Sequence, residues 1–285
     1  TSFYTGEDMY SDGNVEDAII HIIANNPTTN YEEDINHNFS WPVFYHLTRI
    51  RQNILNWYPF KNNSDILEIG CGMGAITELL CQKAKSVTAV DLSKKRATAT
   101  YLRCRNYDNL EIIVGNLNDI HFNKKYDYIT LIGVFEYGEA YIQSETPYVD
   151  FLKIISRHLK PDGKIVLAIE NRLGLKYWAG CTEDHFGTLF EGLEGYPTTS
   201  GVKTFSRKEM SAILKEAGDL KASWYYPFPD YKLPMTIYSD RRLPLKGELN
   251  RLETNCVCSF SRNLRYMIHF LRMICIRILP ILFFF

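Results

Sequence analysis

The chain has no surplus of charge of either sign: 32 Lys and Arg stand against 33 Asp and Glu, a formal net charge of −1. A protein that tracks nucleic acid needs a basic face, so this balance argues against a nucleic-acid partner. Cysteine is scarce and scattered. None of the seven falls in a CxxC pair, and Cys256-x-Cys258 is too tight and isolated to seed a zinc site. Neither a disulfide framework nor a metal site is expected. There is no internal repeat, no low-complexity stretch and no N-terminal signal-peptide pattern, which makes a reducing cytoplasm the expected location. The apolar stretch 264–285 is long enough to cross a bilayer, but Arg265, Arg272, Arg277 and Pro280 interrupt it, so spanning is not expected.

The balanced total hides an asymmetry. Residues 1–40 carry eight acids and no Lys or Arg, whereas residues 241–285 carry eight Lys and Arg against Glu248 and Glu253. A basic tail this rich in Leu, Ile, Met and Phe suits peripheral contact with an anionic membrane surface. It equally suits a helix packed on the body of the protein.

Hydrophobic residues make up 46% of the 285 and charged residues 23%, enough for one large α/β domain with appendages. Apolar runs predict strands at 65–69, 86–90, 110–114, 126–132 and 164–169, the last behind a turn at Lys160-Pro161-Asp162-Gly163. Helical spacing predicts helices at 75–83, 94–106 and 147–159 between them. That alternation implies a parallel, doubly wound sheet. Residues 15–24 and 43–58 each read as a short helix, the second starting at Trp41-Pro42. Ser206 and Glu209 form a capping box, Gly218 ends the helix they open, and strands are expected at 221–226 and 236–239. Between 170 and 203 the rhythm breaks into a long segment rich in Gly and aromatics, the kind of loop that usually carries function.

The most informative run is Ile66-Leu67-Glu68-Ile69-Gly70-Cys71-Gly72-Met73-Gly74, followed by Ser86 to Asp91, SVTAVD. A strand feeds a glycine-rich turn and a helix, and the next strand ends on an acid. Backbone N–H groups and a helix N-terminus then lie beside a carboxylate able to hold a ribose, a site for a nucleoside-bearing cofactor. Two motifs overlap here. Gly70-x-Gly72-x-x-Ala75 fits the dinucleotide fingerprint, with Asp91 near the expected about 20 residues downstream. Glu68-x-Gly70-x-Gly72-x-Gly74 instead resembles motif I of the class I S-adenosylmethionine (SAM) methyltransferases.

The resemblance continues through YDYITLIGVFEYGE at the fourth strand and LKPDGKIVLAIEN at the fifth. It implies a Rossmann-like, seven-stranded, mostly parallel doubly wound sheet whose last two strands form an antiparallel hairpin. It further implies three regions: an acidic helical N-terminal cap (1–60), a SAM-binding methyltransferase domain (61–240) with a substrate insertion (170–203), and a basic hydrophobic tail (241–285). SAM would be the cofactor and S-adenosylhomocysteine the product. Glu68 would take the α-ammonium, and Gly70, Cys71, Gly72 and Gly74 would lie along the methionine tail. Asp91 would accept from both ribose hydroxyls beside Leu92, Asn116 with Leu117 would face the adenine, with Asp119 as a rival, and Gly133 would lie beneath the sulfonium. An arginine of the cap, Arg49 or Arg51, would pair with the SAM carboxylate.

For a hydroxyl acceptor a base of near-neutral pKa helps, and His185 beside Glu183 and Asp184 is the first candidate. Glu136 and Tyr177 are further candidates, as is His46. The segment from ENRLGLKYWAG to MTIYSD is similar to bacterial methyltransferases associated with surface-polysaccharide biosynthesis, which implies a small-molecule or glycan acceptor. Tyr177, Trp178, Tyr225, Tyr226 and Tyr231 would then offer stacking faces. Two other classes stand beside this reading. An NAD(P)-dependent sugar-nucleotide oxidoreductase of the short-chain kind needs a Tyr-x-x-x-Lys pair, and none of the 19 tyrosines supplies one. A non-catalytic methyltransferase-fold interaction module would have no need of intact glycines with Glu68 and Asp91.

Overall fold

A computed structural model describes Phe3, Tyr4, Gly6 and residues 13–245. The expected membrane-binding tail lies almost wholly outside the described residues, as do Cys256, Cys258 and Cys275. Within the described residues no helix is long and apolar enough to cross a membrane. The chain divides into two compact units, Thr1–Val134 with Ile154–Leu167, and Phe135–Lys153 with the chain from Ala168 onward.

The first unit begins with α1 (Val15–Asn25), α2 (Glu32–His37), α3 (Trp41–Leu47), a 3-10 turn (Arg49–Gln52) and α4 (Asn53–Asn56). There follow β1 (Asp65–Ile69), α5 (Ala75–Lys83), β2 (Ser86–Asp91), α6 (Lys94–Arg103), β3 (Leu110–Val114) and β4 (Tyr126–Ile132). The interior positions of β1 and β2 are fully buried, as apolar strands covered on both faces require. With β5 (Leu159–Ala168) they form one sheet in the order β3-β2-β1-β4-β5. Strand β1 runs parallel to β2 and β4, and β2 parallel to β3. The strand order reverses direction between β1 and β4, the switch point beyond which open α/β sheets hold ligands.

An ion-pair network pins the opposite edge. Lys160 reaches Asp65 at 2.8 Å and Asp127 at 2.7 Å, tying the starts of β1, β4 and β5 together. That explains one departure from expectation: Lys160-Pro161-Asp162-Gly163 is not a turn but the first half of a continuous β5. The helix expected over 43–58 is broken as well. Thr48 turns extended (ψ 138°), and its hydroxyl accepts from Ile50 N–H at 3.3 Å, starting the 3-10 turn instead of continuing α3. α2 was not foreseen.

The second unit holds α7 (Gly138–Tyr141), most of α8 (Pro147–Ser156), α9 (Leu175–Trp178), α10 (Arg207–Glu216), β6 (Tyr225–Phe228) and β7 (Thr236–Ser239). The capping box at Ser206 and Glu209 forms as expected. The seven-stranded sheet does not: β6 and β7 make an antiparallel two-stranded sheet of their own, leaving five strands in the main one. Strand β6 also starts later than expected, at Tyr225, and carries Pro227, which has no N–H to offer a second neighbour.

The N-terminal helices are anchored on the sheet's own helices by buried charge. Glu16 on α1 pairs with Arg96 on α6 at 2.9 Å. Arg103, 1% exposed, donates to Glu78 on α5 at 3.1 Å and to the His46 carbonyl on α3 at 2.8 Å. Thr29 and Gln52 complete the shell of Glu78 at 2.7 and 3.2 Å. Removing one partner of a buried pair strands the other, so Arg103→Ala is expected to lower the unfolding free energy by about 3–5 kcal/mol in denaturant titration. A loss under about 1 kcal/mol would show that Arg103 does not hold these helices.

Candidate active site

In the first unit the glycine-rich turn follows β1. Gly70, Gly72 and Gly74 all have left-handed φ, +77°, +53° and +80°. A Cβ on Gly70 would stand 2.3 Å from Val134 Cγ2, so close approach excludes a side chain there, and one on Gly74 would press on Thr100 Cα at 3.1 Å. At Gly72 nothing lies within 4 Å, and a Cβ would project into open space. The turn is held from several sides. Gly70 N–H donates to Val90 C=O at 2.8 Å, and the Thr100 hydroxyl donates to Gly72 C=O at 2.7 Å. Gly72 N–H donates to Asp91 Oδ2 at 2.7 Å, and Ser93 N–H to Asp91 Oδ1 at 2.9 Å. Burial holds the Asp91 carboxyl above its ordinary value against these two donors.

Glu68 is 3% exposed and its Oε2 has no hydrogen-bond partner. Burial, opposed by the Thr77 hydroxyl and the charge of Arg51 and helped by the charge of Asp91, pushes its carboxyl up to about 8. Cys71 is buried and its thiol pushed far up by burial and by Asp91 and Glu68, so it is inert packing. Leu92 is half-buried at the end of β2, and Gly133 (φ +71°) follows β4. Asn116 caps the short 3-10 turn at Leu117, its Oδ1 accepting from Asn118 N–H at 3.0 Å, while Asp119 is exposed. One neighbour was not foreseen: Phe3 pairs with Gly115, where a Cβ would meet Phe3 Cβ at 2.4 Å.

The second unit gathers the acceptor-side candidates. His185 Nδ1 lies 2.9 Å from Glu183 Oε1, so Glu183 is the carboxylate that orients the ring. Glu183 itself accepts from the His185 and Phe186 N–H groups at 2.7 and 2.9 Å. Asp184 faces elsewhere, pairing with Lys176 at 2.6 Å and Lys232 at 2.5 Å. The His185 Nε2 edge stands 3.9 Å from Glu136 Oε1. Burial alone would depress this imidazole, but Glu136 and Glu183 overcome it and push it up to about 10. Tyr177 is 3% exposed with an unpartnered hydroxyl, and burial keeps its phenol protonated, a donor rather than a base.

Glu170, two residues beyond the end of β5, was missed by sequence reasoning. It joins Glu136 and His185 in a cluster whose donor atoms all lie within 4.8 Å of one another. The available signal was its position, since Glu68 and Asp91 also sit where a core strand ends. Of the aromatics expected to stack on an acceptor, Trp178 and Tyr225 are exposed, whereas Tyr177, Tyr226 and Tyr231 are buried among other side chains. His46 is buried on α3 in the first unit.

Residues 66–163 match a family model described as a methyltransferase domain. The chain is 30% identical over 168 residues to a malonyl-[acyl-carrier protein] O-methyltransferase of Priestia megaterium, covering 55% of this chain and 54% of that protein. It is 28% identical over 135 residues to a ubiquinone biosynthesis O-methyltransferase of Rickettsia canadensis, covering 47% and 54% respectively. The chain thus spans about half the length of the curated relatives it matches. Among solved structures, an S-adenosylmethionine-dependent methyltransferase of Clostridium acetobutylicum aligns with a TM-score of 0.43 at 18% identity, over 72% of this chain and 87% of that one. The segment 66–163 is thus similar to methyltransferase domains, and SAM is the cofactor this match supports.

A buried proton on Glu68 stabilises the unliganded fold. The folded value of about 8 exceeds the ordinary 4.5, so this contribution is complete below the ordinary value and lost as pH rises through the folded one. Glu68→Gln has nothing to ionise. Its stability relative to the parent should therefore rise between about pH 5 and about pH 8.5, by on the order of 3 kcal/mol, in thermal or urea unfolding. An unchanged difference across that range would contradict the buried neutral carboxyl.

Proposed function

We propose that the protein is a SAM-dependent methyltransferase acting on a small-molecule or glycan acceptor. The observation that carries this reading is the buried Glu68 carboxyl, whose Oε2 has no hydrogen-bond partner, beside an open glycine turn. Such an unpartnered oxygen is unfavourable in the unliganded protein and gains a partner when a cation arrives. The residues fit SAM. Glu68 would take the α-ammonium, directly or through water. The space above Gly72, with Gly70, Cys71 and Gly74 behind it, would receive the methionine tail. Each Asp91 oxygen accepts one N–H and keeps a lone pair for a ribose hydroxyl. Leu92, Asn116 and Leu117 would border the adenine, and Gly133 the sulfonium. SAM supplies the methyl group, activated by its attachment to sulfur.

Glu136, Tyr177 and His185 are proposed to serve the acceptor. Tyr177 offers a hydrogen-bond donor, and the Glu183-held imidazole of His185 fixes polar groups of the acceptor in one orientation. Positioning of this kind is itself a large part of catalysis. Residues 1–60 are proposed as a cap, 170–203 as the substrate segment and 241–285 as a tail that meets the cytoplasmic face of the membrane. The likeness of the segment after residue 170 to methyltransferases of surface-polysaccharide biosynthesis, together with the basic composition of the tail, supports an acceptor assembled at that face.

Two variants test the cofactor site. Asp91→Ala should lose SAM binding by at least tenfold in equilibrium dialysis while retaining a cooperative thermal transition. Gly72→Ala should weaken SAM binding comparably, because its Cβ fills the tail's space, at a cost in stability of about 1–2 kcal/mol for the left-handed backbone. Unchanged affinity in both would remove this turn from the cofactor site.

A further inference from the structure

One cluster within the second unit gathers more carboxylates than the cations beside them balance. Glu136, Glu170, Glu183, Asp184 and Asp230 surround His185, Lys176 and Lys232, five carboxylates against two lysines and one histidine. Lys176 is engaged by Asp184 and Asp230, at 2.6 and 2.8 Å. Lys232 is shared between Asp184 and Glu170 Oε1, both at 2.5 Å. What remains is Glu136 Oε2 and Glu170 Oε2. Both are buried and without a hydrogen-bond partner, on residues that are 2% and 3% exposed. Two orphaned carboxylate oxygens in one cluster call for a cation.

We infer that Glu136, Glu170 and His185 form a binding site for a divalent transition-metal ion, with at least one coordination position left for an oxygen of the acceptor. Donors sharing one ion at about 2.1 Å stand at most about 4.2 Å apart. His185 Nε2 and Glu136 Oε1, at 3.9 Å, already meet that bound, and the 4.8 Å limit on the whole set leaves roughly half an ångström to close. Glu183 completes the arrangement from behind. A carboxylate accepting from Nδ1 fixes the ring so that the Nε2 lone pair points at the metal, the usual support of a ligating histidine.

The donor set also selects the ion. Two carboxylates and an imidazole suit Mn²⁺, Fe²⁺ or Zn²⁺ better than Ca²⁺ or Mg²⁺, which prefer oxygen throughout. Three protein ligands leave the coordination sphere open, the mark of a site that binds something further. A cavity of about 30 Å³, room for one water, borders Glu170 and is lined by Asn171, Lys176, Asp230 and Tyr231 among others. An organic ammonium would suit the same charge, but not the histidine, whose Nδ1 is committed to Glu183 and whose Nε2 edge faces the carboxylates.

The role in acceptor binding rests on the methyltransferase reading; the metal site itself does not. The 285-residue chain, stripped with a chelator and dialysed, is titrated with MnCl₂ alone while the free-ion electron paramagnetic resonance signal is followed. One saturable site per chain is expected, weakened at least tenfold by Glu170→Gln and by His185→Ala and unaltered by Asp162→Asn on the exposed part of β5. Circular dichroism confirms that each variant is folded, and should Glu170→Gln not fold, Glu136→Gln takes its place. SAM affinity, measured on the same samples, should survive these changes; its absence would count against the methyltransferase reading and leave the metal site standing. No saturable Mn²⁺ binding, or binding that ignores the ligand variants, would overturn the metal site.

Discussion

The 2.7 Å hydrogen bond from Gly72 N–H to the Asp91 carboxylate is the constraint around which the first unit is organised. It joins the turn after β1 to the end of β2, so the geometry of both depends on the register of those strands. Slipping one strand by a residue would turn Asp91 to the other face and lose the contact. At the strand starts the Ser86 hydroxyl donates to Asp65 Oδ1 at 2.7 Å, tying β2 to β1, while Lys160 gathers Asp65 and Asp127 from β1 and β4. A surface ion pair adds little stability by itself, but one tying three strand starts together fixes where the opposite ends fall.

The same economy of charge runs through both units. In the first, Glu68 is buried without a hydrogen-bond partner for one of its oxygens, and the turn beside it leaves open space at Gly72. In the second, Glu136 and Glu170 each keep a buried oxygen unpartnered. Stability alone disfavours all three, since a buried polar group without a partner costs about 1–3 kcal/mol. Other buried carboxylates are fully engaged: Glu78 by Thr29, Gln52 and Arg103, and Glu183 by His185, Phe186 and Tyr196. The contrast separates groups that hold the fold from those we propose meet a ligand.

Much of the fold was legible in the sequence because its signals are local. Apolar runs gave the five strands, the glycine spacing gave the turn, and Ser206 with Glu209 gave the start of α10. What escaped depends on partners distant in sequence. Lys160-Pro161-Asp162-Gly163 has turn composition, yet the pull of Asp65 and Asp127 on Lys160 keeps it extended. Thr48 breaks an apparently continuous helix through its own hydroxyl. In the site, a neighbouring carboxylate was foreseen as orienting His185 and the structure makes it Glu183 rather than Asp184, whereas Glu170 and Lys232, 15 and 47 residues away from it, could be joined to it only by the fold. The hairpin was expected as part of a larger sheet, but Pro227 gives β6 a single partner.

The central claim is that the turn after β1 binds a sulfur nucleoside, and calorimetric titration of the intact protein with SAM, S-adenosylhomocysteine and NADH tests it most directly. The account predicts micromolar binding of the first two, one per chain, and no heat from NADH. Binding of NADH alone, or of none of the three, would contradict it.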